Sequence, residues 1–143
     1  MRRLVVLALV VPLLVACGDD KDGYCDAVKD DQEALAEHLG SKDPDALLGA
    51  LDIFRELQDR APSDIADEWQ AVVDAIGGLR ETLEAAGADP ATYDPASPPP
   101  DVTPEEQKEI TAASRRLTSP ETLQALEAVD QQVRDVCHTP LFL

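Results

Sequence analysis

The residues of this 143-residue chain best suited to chemistry are three cysteines, Cys17, Cys25 and Cys137, and two histidines, His38 and His138. An odd cysteine count leaves at least one thiol outside any intramolecular disulfide, and without a CxxC or a second ligand pair a structural metal site has no framework. Asp135 and His138 stand three apart, a spacing that puts two ligands on one side of a helix. A di-metal bundle repeats Glu-x-x-His on two helices, whereas the residue three before His38 is Leu35. His138 therefore reads as a positive group closing a helix C-terminus. The tract Asp20-Lys21-Asp22-Gly23 suggests a calcium loop, but with Gly23 at the sixth position an EF-hand needs an acid at Gly18 and a glutamate at Lys29. It reads as a solvated tether, so no metal and no cofactor is expected.

Nucleophile and phosphate-loop signatures are missing as well: there is no GxSxG, SxxK, HExxH or GxxxxGK. The expectation is that the chain is not an enzyme and has no catalytic residue to name. Its 29 acidic residues against 12 basic ones give a formal charge of −17, which excludes a basic-patch nucleic-acid binder. So many acids also form accidental carboxylate pairs. An envelope-polymer hydrolase using such a pair is the alternative from another class, and it needs two acids facing each other in a cleft with one held protonated. A cation-binding acidic protein is a third reading.

The N-terminus explains one of the cysteines. Met1-Arg2-Arg3 is positive, Leu4 to Ala16 (LVVLALVVPLLVA) is apolar throughout, and the run stops short of the roughly 20 residues that a spanning helix needs. Residues 1–16 are read as a signal peptide. The junction Leu14-Val15-Ala16-Cys17 resembles the lipobox of bacterial lipoproteins: an aliphatic residue, a tolerant position, a small residue and then the cysteine. The resemblance implies that the Cys17 thiol carries diacylglycerol and that a type II signal peptidase cuts before it. Two acyl chains make a stable anchor. Cys25 and Cys137 then remain as an even pair in an oxidising compartment, where a bond between them closes a loop of about 110 residues, with roughly 4 to 5 kcal/mol as the chain-entropy ceiling. Two buried free thiols are the alternative. Removing Arg2 and Arg3 with the signal leaves 10 basic residues against 29 acids, a formal charge of −19. Such a body is repelled by anionic headgroups and stands off the membrane that its lipid holds it to.

Helices must position what remains. Residues 17–23 are the lipidated cysteine and polar tether, and residues 24–143 the domain. A first helix starts near Gly23 or Tyr24, turns Cys25, Val28, Leu35 and Leu39 to one side, and stops at Gly40. Asp43-Pro44 is the next start, an N-cap followed by proline, and Leu47, Leu48, Leu51, Phe54 and Leu57 recur at helical spacing up to Ala61-Pro62. Ile65, Trp69, Val72, Ile76, Leu79 and Leu83 step by four and three, a narrow bundle seam that places Trp69 in the core. Gly77-Gly78 within it marks either a close helix approach or a kink, and Gly87 supplies the stop. Residues 89–102, with five prolines, form a stiff connector outside the core. Thr103-Pro104-Glu105-Glu106 opens a fourth helix with a capping-box pattern, and Ser119-Pro120 breaks it before Leu123, Leu126, Val129, Val133 and Val136 lead to Cys137.

The fold expected is all-α: a helical bundle of four main helices, the fourth broken near Ser119-Pro120, clasped by a disulfide between its ends. An even number of antiparallel helices brings Cys25 and Cys137 to the same side. The segments Tyr24-Cys25-Asp26-Ala27, Ala61-Pro62-Ser63-Asp64-Ile65, Asp67-Glu68-Trp69 and Val136-Cys137 together resemble small helical lipoproteins of high-GC Gram-positive bacteria. That resemblance implies location and architecture, and no activity. The expected role is an interaction or ligand-binding module at the extracytoplasmic face of the cell membrane. Its partners would be the membrane, through the lipid, and an envelope protein.

Overall fold

The protein, described by a computed structural model over residues 19–41 and 45–143, is helical in all its regular elements, with six helices and no strand among the described residues. The signal peptide, the lipobox with Cys17, and the Asp43-Pro44 start signal lie outside the described residues.

Helix α1 (Asp19–Gly40) buries Tyr24, Val28 and Leu35 on one side and leaves Lys29, Asp30 and Glu33 in water. It begins about one turn earlier than its apolar spacing predicts, so much of the expected polar tether is helical. Acidic residues near a helix N-terminus are electrostatically favoured, and Asp22 is one of them. The expected second helix is divided into α2 (Ala46–Gly49) and α3 (Leu51–Arg60), which together bury Leu48, Leu51, Phe54 and Leu57. Gly49 at this division lies under the imidazole of His38, and a Cβ there would stand 3.0 Å from Nδ1.

Helix α4 (Ala66–Ala85) is the hub, packing on α3 and on α5 (Pro104–Leu117) and α6 (Pro120–Cys137). Its seam is buried at Trp69, Val72, Ile76 and Leu83 and half-buried at Leu79. The helix runs through Gly77-Gly78 unbroken. Gly77 faces α3, where an added Cβ would lie at ordinary contact distance, 3.5 Å from Arg55 Nη2 and 3.9 Å from Leu51 Cδ2. The stop is a Schellman motif: Gly87 takes φ +64°, its N–H donates to Glu84 O, and Ala88 N–H donates to Leu83 O.

The proline-rich connector departs from expectation, because part of it belongs to the core. Val102 and Ala88 at its ends are buried, and Tyr93 packs on the core from the middle. Asp89 and Asp94 fold it back by accepting the N–H groups of Ala91 and Ala96, turns that a proline-fixed backbone accommodates. The start of α5 matches the sequence in full: Thr103 Oγ1 accepts from Glu106 N–H while Glu106 Oε2 accepts from Thr103 N–H. Ser119 caps α6 through Thr122 N–H, and this is where the fourth helix breaks. Helices α5 and α6 follow one another, and both pack on α4.

Candidate functional site

Two ends of the bundle differ in chemistry. At the first, Cys25 and Cys137 are joined by a disulfide with their Cα atoms 5.1 Å apart, a span of 112 positions. Beside it, Trp69 Nε1 donates to the Tyr24 hydroxyl over 3.0 Å. Burial pushes the Tyr24 phenol up to about 12, with Asp64 adding to the rise and the bond from Trp69 opposing it. Phe54 stands against Trp69 with ring centroids 6.0 Å apart. The tail after α6 folds back along the bundle from the disulfide. Gln32 donates to Thr139 Oγ1 over 2.9 Å and to Pro140 O, and Asp130 accepts the N–H of the fully buried Leu141. The contacts at this end are structural.

Toward the other end lie two apolar cavities. One, of about 290 Å³, is bounded by α2, α4, α5 and the connector, including Leu48, Leu79, Leu83, Tyr93 and Ile110. The second, of about 220 Å³, lies among all six helices and the tail, including Leu39, Phe54, Val72, Leu126 and Phe142. Leu47 and Leu117 line both, so the two spaces are neighbours across these side chains. Among the described residues, no charged side chain lines either of them. Three further grooves are polar and more open, such as that between Asp67, Glu68 and Glu121.

The other sequence candidates separate in space. His38 packs on Gly49 at the C-terminal end of α1, while His138 follows Cys137 at the clasped end, about 20 Å away along α1 by helical rise. His138 ends α6 in the left-handed conformation, φ 56°, and Asp135 accepts from Gln131 instead of pairing with it. Asp22 and Gly23 are helical, which rules out the loop that calcium coordination requires there. No group of three metal-ligating side chains is assembled among the described residues.

One carboxylate pair does stand out. Asp31 on α1 is held above the usual carboxylate range, first by partial burial and then by the charges of Glu56 and Asp30, with Arg60 opposing. Neither Asp31 nor Glu56 lines any of the cavities or grooves, and Glu56 is ion-paired to Arg60 at 2.9 Å on an exposed surface. The pair lacks the cleft that acid and base work on a polymer needs. No described helix is long and apolar enough to cross a membrane.

The cavities are what the sequence did not reveal. Their lining residues are the same leucines, valines and isoleucines that mark a bundle core, and only the fitting of the helices decides whether the space between them is filled. A faint signal is the poverty of large rings: with one Trp and two Phe, aliphatic side chains must close every gap.

Compared with protein-family models, with curated proteins and with solved structures, the chain matches none.

Proposed function

We propose that this chain is an exported lipoprotein, anchored through diacylglycerol on Cys17 to the outer face of the cytoplasmic membrane, and that its clasped bundle is a non-catalytic ligand-binding module. The observation that carries the reading is the Cys25–Cys137 disulfide. It leaves Cys17 as the unpaired member of an odd set, at the position the lipobox assigns to lipid, and it fits an oxidising compartment. Binding is supported by the apolar cavities, since ligand sites are mostly apolar hollows with a few polar groups. That Asp31 and Glu56 line neither apolar cavity favours binding over hydrolysis.

Replacing Cys17 tests the anchor. The wild-type chain is expected in the membrane fraction and labelled by a palmitate tracer, and the Cys17→Ala chain in the medium without label. Unchanged membrane retention of Cys17→Ala would sink the lipid anchor.

A further inference from the structure

We propose that the two cavities on either side of Leu47 and Leu117 form one elongated site for a long alkyl chain whose polar end is uncharged. The inference rests on the binding-module reading and names its ligand class.

The shape comes from α4. Val72 and Ile76 line one cavity, and Leu79 and Leu83, farther along the same stripe, line the other. From Val72 to Leu83 is 11 residues, or about 16 Å of helix at 1.5 Å per residue. Each lobe is small, about 290 and 220 Å³, at or below the low end of ligand pockets. A rigid polycyclic molecule would fit one lobe at most and stop at Leu47 and Leu117. A flexible chain passes between these two side chains and fills both.

The lining decides the chemistry. Water in a cavity needs two to four polar partners, and apolar cavities of this size stay dry. Hydroxyl groups are few here, and two are already engaged: Thr111 donates to Gln107 O and Thr122 to Arg116 O, each at 2.8 Å. Tyr93 and Ser114 are the other hydroxyls, both at the lobe beside the connector, where they suit an alcohol or ester group. Among the described residues, no cation lines either lobe to receive a carboxylate or phosphate. Arg80, next to Leu79 in sequence, is committed to Leu48 O at 3.0 Å and Asp52 at 3.3 Å. The formal charge of the whole body also repels an anionic head.

The site runs from the tail and Phe54 toward the C-terminal end of α1. Tyr24 is near the start of α1 and Leu39, a wall of the smaller lobe, is about 22 Å along it by helical rise.

Thermal melting of the full-length Cys17→Ala chain, purified without detergent from whichever fraction holds it, tests the proposal with an alkanol series. Dodecanol is expected to raise the melting temperature more than hexanol, more than the compact isomer cyclododecanol and more than dodecanoate at neutral pH. Leu117→Trp, which plugs the passage, is expected to weaken dodecanol at least tenfold. Ser114→Phe, at an exposed position on the wall of the larger lobe, is expected to move the best response to shorter alkanols while helicity and the disulfide are retained. A neutral diacylglycerol arm identifies the source of the chain: a stronger response than dodecanol assigns a glyceride, a weaker one a free alcohol, and both support the site. The proposal is overturned by the absence of any alkanol shift, by equal shifts for dodecanol and cyclododecanol, or by an unchanged length profile in Ser114→Phe. Melting that responds to cell-wall fragments but to no alkanol also overturns it, and leaves the binding-module reading in place.

Discussion

Trp69 donates its indole N–H to the hydroxyl of Tyr24 over 3.0 Å, and both side chains are completely buried. The bond ties the first turns of α1 to the start of α4, beside the disulfide. Removing the acceptor leaves a buried donor unsatisfied, so Tyr24→Phe is expected to lose about 1 to 3 kcal/mol of stability. Urea unfolding followed by the fluorescence of Trp69, the only tryptophan, measures it.

The same tyrosine gives an alkaline limit. Its phenol is pushed up to about 12 in the folded protein, against about 10 when unfolded, so the unfolded chain loses this proton first. The contribution is fully present below pH 10 and is lost as pH rises from there toward 12, by roughly 3 kcal/mol at most. In Tyr24→Phe this segment of the pH profile should flatten. An unchanged profile would show that another group governs alkaline unfolding.

Opening the disulfide should cost more than any single contact. Reduction, or Cys25→Ser with Cys137→Ser, is expected to lower stability by about 2 to 5 kcal/mol, the range for a native bond in a small secreted domain. Melting with and without reductant reads the loss. The double variant should melt at one temperature in both.

Asp31 offers a change of opposite sign. Its folded pKa is raised, so the folded state holds this proton more tightly than the unfolded chain, and stability from this group falls as pH rises through the folded value. Asp31→Asn is expected to be more stable than the wild type at neutral pH, by less than about 1 kcal/mol because solvent screens a partly exposed site. The gain should vanish below about pH 4, where the carboxyl is protonated in both states. Melting curves at neutral and acidic pH decide it.

The two glycines on either side of the α4 terminus should respond differently to alanine. Gly78 sits in the helix with open space where a Cβ would go, so Gly78→Ala is expected to stabilise by up to about 1 kcal/mol. Gly87 holds φ +64°, and Gly87→Ala is expected to destabilise by about 1 kcal/mol or more. Paired denaturation curves give both signs.

Much of this fold was legible because its signals are local. The four-three stepping from Ile65 to Leu83, the stops at Gly40 and Gly87, and the starts at Pro104 and Pro120 each depend on residues within a few positions. The all-α bundle follows from them, while the pairing of Cys25 with Cys137 rests on the odd cysteine count and the reading of Cys17 as lipidated. Three features escaped for reasons that are not local. The extra turn of α1 before Tyr24 contains no apolar period to detect. The division between α2 and α3 reflects His38 lying on Gly49, a contact between helices. The burial of Val102 and Tyr93 depends on where the connector lands, which a proline count does not encode. The cavities are the extreme case, since a void is a property of how side chains fail to meet.

The clasp also sets how the molecule bears tension. Cys25 lies in the second turn of α1 and Cys137 ends α6, with the rest of the bundle between them. A pull applied at the two chain ends enters at one cysteine, crosses a single covalent bridge and leaves at the other. The intervening helices are off the load path, whereas Phe142, a wall of the smaller lobe, lies beyond Cys137 and is on it, so a pull on the tail acts on the lobe before it reaches the bridge.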